Sequence, residues 1–171
     1  GRIHSIKGLD LLGRAFASLG PDAGRARLVL AGPDDGYLGA LKRTIRDLKA
    51  EDRVTIAGAV YGRDRLEAYV DADVCVLTSV YEVFGITLLE ALMCGTPVVA
   101  TDRCGVSPWL ANRGGYVVPF EAEAVAQALR RMLADPAARR RLGEQGRRLV
   151  MEHFTWAGVV DRVEAIYQGA L

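Results

Sequence analysis

Two carboxylates, Glu82 and Glu90, bracket a glycine and an apolar run in the stretch "YEVFGITLLEALMCGTPVVATD". Glu90 stands among Leu88, Leu89, Ala91, Leu92 and Met93, where nearly every neighbour favours burial. A carboxylate in such surroundings needs donors, because an unpaired buried charge costs several kcal/mol. A vicinal diol such as ribose offers two hydroxyl donors to one carboxylate. Gly85 sits where a helix would open, letting backbone approach a ligand closely. The free amides of Gly85, Ile86 and Thr87 would then face an anion, with the positive helix end behind them. Glu90 lies about 7.5 Å further along the helix axis, and Glu82 lies on the loop before it. One helix end thus presents places for a polar group, a phosphate and a ribose, in that order. The competing structural reading makes Glu82 a helix cap and Glu90 the partner of a surface lysine.

Arg2 and Lys7 add cations near a second turn, with Lys7-Gly8 leading into "LDLLGRAF". Either alone reads as surface charge. Together they suit a diphosphate held from the other side by the Gly85 amides. The histidines, His4 and His153, are isolated from any acidic ligand cluster, so the sequence points to no metal site.

The elements that must position these groups alternate. "ARLVLAG", "RVTIAG", "ADVCVLTS", "TPVVATD" and "GYVVPF" are strand candidates, and several are continuous apolar runs, the pattern of strands covered on both faces. Between them lie "KGLDLLGRAFASL", "LGALKRTIRDLKA", "RDRLEAYVD" and "GITLLEALMCG" at helical length. The order predicts an α/β, Rossmann-like domain with a mainly parallel central sheet flanked by helices. After Phe120 the strand patterns stop, and the last third reads as consecutive helices, one starting at Pro136 after Asp135. Ligands of such sheets bind at the carboxyl ends of the strands, where "TSVYEVFG" falls.

Composition narrows the classes. A chain of 171 residues with 50% hydrophobic and 25% charged residues builds one well-buried globular domain. A net charge of +1 gives no general attraction to nucleic acid or to an anionic membrane. The basic run "ARRRLGEQGRR" is interleaved with Leu142, Leu149 and Val150 at helical spacing, which makes it a solvated helix face. Three cysteines without C-x-x-C spacing exclude a disulfide framework and fit a reducing, cytoplasmic setting. Cys75 and Cys94 fall in apolar runs as core residues; Cys104 falls in a loop, where a reactive thiol is the alternative to a structural one. No apolar run is long enough to span a membrane. The opening "GRIHSIKG" lacks a methionine and a leading strand, as though cut from a longer polypeptide.

In sequence order, "GRIHSIKG", "LVLAG", "RVTIAGAV", "ADVCVLTS", "YEVFGITLLEALMCGTPVVATD" and "FTW" resemble the C-terminal, donor-binding domain of retaining glycosyltransferases of family 4 (glycosyl transferases group 1). Those enzymes have the two-Rossmann GT-B fold, and the resemblance covers essentially the whole chain. Glu82 and Glu90 form its E-x(7)-E signature. The resemblance implies a catalytic set of Glu82, Arg2 and Lys7, with Glu82 on the transferred sugar and the basic pair on the donor diphosphate. It implies donor-binding roles for Phe84, Gly85, Ile86 and Thr87 through backbone amides near sugar and phosphate. Glu90 would take the ribose, Val60 the nucleobase, and Tyr61 and Arg65 would border that pocket. A nucleotide-diphosphate sugar is then the donor substrate, with no cofactor and no metal. The N-terminal acceptor domain would be a further part of the same chain, and any membrane association, at the inner face, would run through it. "RCGVSPWL", with Pro108 and Trp109, replaces a frequent "GG-x-x-E", so the sugar contacts of that loop are not carried over. Thr78 stands for a frequent proline. Two other readings share the ligand: a non-catalytic sugar-nucleotide-binding module and a GT-B-type sugar-nucleotide epimerase.

Overall fold

The computed structural model describes residues 1–20, 23 and 26–169. Its elements run α1 (Leu9–Ala17), β1 (Leu28–Ala31), α2 (Leu38–Asp47), β2 (Val54–Gly58), α3 (Gly62–Val70), β3 (Cys75–Leu77), α4 (Ile86–Met93), β4 (Val98–Thr101), α5 (Ser107–Leu110), β5 (Gly115–Val118), α6 (Ala122–Ala134), α7 (Pro136–His153) and α8 (Trp156–Gly169). Each strand falls inside a stretch read as a strand from sequence, and the last third is helical as expected. The short helix α5 was not anticipated. It forms in "RCGVSPWL", where Pro108 sits in the first turn and gives up no bonded amide.

Every strand pair is parallel. The expected central sheet is divided into two ladders, β1-β2 and β3-β4-β5. The opening residues lie between them and bond to both sides. The Ile3 amide donates to the Pro33 carbonyl at 2.8 Å, and the Val80 amide donates to the Ile6 carbonyl at 2.7 Å. The Asp35 amide also donates to the Ile3 carbonyl at 3.0 Å, which makes one isolated bridge rather than a ladder, so the two sheets remain distinct.

β4 shows why its sequence is continuously apolar. All four of its residues are buried, because helices cover both faces. Successive side chains point to opposite sides of a strand. Val99 accordingly joins a cluster with Leu12, Phe16, Leu30, Leu41, Val125 and Met132. Val98 and Ala100 join another with Leu88, Leu92, Leu110 and Leu149. Burying each large aliphatic side chain contributes about 1.5–3 kcal/mol.

α7 starts as the sequence indicates: the Asp135 carboxylate accepts from the Ala138 amide at 2.9 Å and Pro136 takes the first position. Leu142, Leu149 and Val150 are buried while Arg140, Arg141, Arg147 and Arg148 are exposed, so the basic run is a solvated face. Two glycines let this helix lie against its neighbours. A Cβ on Gly146 would stand 2.3 Å from Leu92 Cδ2, and one on Gly143 would stand 1.9 Å from the Gly95 carbonyl oxygen. No helix among the described residues is long and apolar enough to cross a membrane.

Candidate functional site

β3 delivers the chain into the loop that carries Glu82. The Thr78 hydroxyl at the end of that strand is buried and donates to the Gly8 carbonyl at 3.1 Å, tying the loop to the start of α1. Gly8 makes this approach possible. Its φ is +60°, and a Cβ there would stand 1.9 Å from the Thr78 carbonyl oxygen. Lys7, one residue earlier, is thereby held over the loop. Its Nζ donates to Glu82 Oε2 at 2.6 Å, and each side chain is 20% exposed. The Ser79 hydroxyl donates to the same oxygen at 3.3 Å. The Glu82 backbone is pinned from both sides, donating to the Arg103 carbonyl and accepting from the Gly105 amide.

Glu82 is therefore no cap of α4. That helix opens on Gly85 at φ +95° with no side-chain cap, which leaves its first-turn amides without side-chain partners. A Cβ on Gly85 would stand 2.5 Å from Cys104 Sγ. Cys104 is buried, its thiol donates to the Phe84 carbonyl at 3.2 Å, and burial raises its pKa. These are the marks of a structural thiol, so the reactive alternative is not supported. Phe84 and Ile86 are exposed and Thr87 half-buried beside this helix end.

Glu90 lies at the margin of the buried face of α4, 28% exposed. Its Oε1 is 3.3 Å from Arg65 Nη2, and its Oε2 accepts from the Tyr69 hydroxyl at 2.9 Å. Arg65 and Tyr69 stand one turn apart on α3, so both reach the same carboxylate. Val60 and Tyr61 form the junction between β2 and α3, with Tyr61 70% exposed.

Lys7 is bonded to Glu82 on the loop that leads into α4, and α4 carries the chain from Gly85 to Glu90, which Arg65 meets. Arg2 is not joined to that network. It pairs with Asp35 at 2.6 Å, with its side chain 63% exposed. His4 is structural, its Nδ1 accepting from the Ile6 amide, and His153 packs on Trp109. Ser79 and Tyr69 were missed in the sequence. Tyr69 left a signal, since it stands four residues after Arg65 in a helical pattern and faces whatever that arginine faces. Ser79 left none, because its role depends on the loop's path. The site is an open shelf, with Tyr61, Phe84 and Ile86 exposed along it; two hollows, one beside Thr96 and Pro136 and one beside Tyr116 and Gln127, include none of its residues.

The family described as glycosyl transferases group 1 matches residues 1–149. Mannosylfructose-phosphate synthase of Agrobacterium fabrum is 31% identical over 99% of this chain and 39% of its own length. Sucrose-phosphate synthase from Thermosynechococcus elongatus superposes with a TM-score of 0.86 at 32% identity, over 99% of this chain and 44% of that one. Anabaena HepE, solved in complex with UDP, superposes at 0.87 with 23% identity over 100% of this chain and 47% of that one, which shows the shared fold. The chain therefore spans less than half the length of each of these proteins.

Proposed function

The chain belongs to the group 1 glycosyltransferases, and on that premise we propose that it is the donor-binding half of a retaining enzyme using a nucleotide-diphosphate sugar. The observation that carries this reading is the continuity of the shelf: Lys7 on Glu82, then the uncapped end of α4, then Glu90 along the same helix. The diphosphate lies over the amides of Gly85, Ile86 and Thr87, with the sugar towards Glu82 and the ribose on Glu90. Val60 and Tyr61 receive the nucleobase. Lys7 leaves Glu82 for the phosphate, and Arg2, already exposed, leaves Asp35 to join it. As the bond from the anomeric carbon to the phosphate oxygen breaks, negative charge grows on the leaving diphosphate. The fixed amides and the lysine stabilise that charge without having to reorganise. The open shelf is one wall of a cleft, and a companion half of the protein supplies the other wall and recognises the acceptor. The UDP complex of the structurally similar Anabaena protein supports this class of donor.

The test is thermal stabilisation by UDP-, GDP- and ADP-sugars. A ligand at a hundredfold excess over its Kd stabilises by about 2.7 kcal/mol. One nucleobase should stand out, and absence of stabilisation by all three refutes the reading. The isolated chain should transfer no sugar, and turnover by it alone would show that no second wall is needed.

A further inference from the structure

Glu90 reaches the ligand side of α4 with neither of its oxygens free of the protein, and its two partners differ in kind. Arg65 is 46% exposed on its side chain and meets Oε1 at 3.3 Å, a loose and solvated contact. Tyr69 is fixed at both ends. Its backbone carbonyl accepts from the Thr96 hydroxyl at 2.5 Å, its ring packs against the cluster around Leu88 and Leu92, and its hydroxyl donates to Oε2 at 2.9 Å. Burial, followed by the bond to Glu90, raises the phenol's pKa, so it remains a donor at neutral pH. A carboxylate carries about four acceptor positions. One is taken by the phenol and one by a guanidinium that solvent can replace, which leaves two for hydroxyls and a third once Arg65 swings away.

The geometry points to Tyr69 as a positioning residue, anchoring Oε2 so that the plane of the Glu90 carboxylate is set for the 2′- and 3′-hydroxyls of a ribose. This rests on the reading of Glu90 as the ribose acid. Tyr69 touches no ligand itself; it acts through Glu90, while Arg65 serves as a displaceable counter-ion.

The experiment measures Kd by calorimetry for the tightest binder among UDP, GDP and ADP, and for its 2′,3′-dideoxy analogue. Wild type, Tyr69→Phe and Glu90→Gln are compared. Phenylalanine keeps the packed ring, and Tyr69→Met is measured the same way should that variant fail to fold. Tyr69→Phe should weaken the ribonucleotide about tenfold and leave the dideoxy analogue within about twofold of wild type. An equal loss on both ligands, or no loss on either, overturns the positioning role. Glu90→Gln reports separately on the premise. If it weakens the ribonucleotide and the dideoxy analogue equally, or weakens neither, or if no nucleotide binds, the ribose reading fails and the role of Tyr69 fails with it.

Discussion

Lys7 and Glu82 neutralise one another, and removing either should show how tightly the two are coupled. At 2.6 Å and an effective dielectric near 20, the gross attraction is about 6 kcal/mol. Most of that is offset by desolvation, since both side chains are 20% exposed. Exposed pairs contribute about 0–1 kcal/mol, and breaking a buried pair costs about 3–5. A pair between those limits places Lys7→Met near 2 kcal/mol of lost stability, or a fall in Tm of about 4–8 °C. The double variant Lys7→Met with Glu82→Gln should recover most of the loss, because no lone charge remains. Urea unfolding of the four proteins gives the coupling directly, expected at about 1–3 kcal/mol. Additivity within about 0.5 kcal/mol would refute the pair. The same variants test function: Glu82→Gln releases Lys7, so nucleoside diphosphate should bind at least as tightly as to wild type. A loss of affinity beyond about threefold would mean that Glu82 holds the nucleotide rather than the sugar.

Gly8→Ala should lower stability by at least the cost of a left-handed alanine, about 1–2 kcal/mol, because its Cβ would also press on the Thr78 carbonyl oxygen at 1.9 Å; an unchanged urea midpoint would refute the close approach. Burial pushes the Cys75 thiol up to about 11 from 9.0. The folded chain therefore keeps this proton longer than the unfolded one, so stability is whole below about pH 9 and falls as pH climbs towards about 11. Cys75→Ala should flatten part of that alkaline decline in unfolding midpoints, and an identical slope would refute the assignment.

Strands were legible wherever both faces are covered, since continuous runs such as Val98–Ala100 have few other homes. The start of α7 was legible too, because Asp135 and Pro136 act locally. The division of the sheet was not. It depends on how residues 1–6 bond to Pro33 and Val80, contacts far apart in sequence. At the site, Glu90 could be singled out because its charge conflicts with its neighbours. Tyr69 could not be assigned to it, since its spacing from Arg65 shows a shared helix face but not what that face meets. Arg2 and Lys7 looked equivalent in sequence. The structure separates them, placing Lys7 on Glu82 and Arg2 on Asp35. The resemblance supplied roles for both, but which acid each meets is a matter of three-dimensional path.

The two glycines of α7 also matter for engineering the chain. Replacing a helical glycine by alanine is a routine stabilising substitution, with a gain of about 0.5–1 kcal/mol at a free position. Applied to Gly143 or Gly146 it would push α7 off Gly95 or Leu92, and through Leu92 it would disturb the helix that carries Glu90. Gly39 and Gly13 are the sound targets. A methyl at Gly39 would meet the tip of Arg43 at 3.9 Å, and at Gly13 it would meet Leu48 Cδ1 at 3.4 Å and Thr44 Cγ2 at 3.9 Å. A thermostabilised version of this chain should therefore be built outward from α1 and α2, with the α4–α7 seam left untouched.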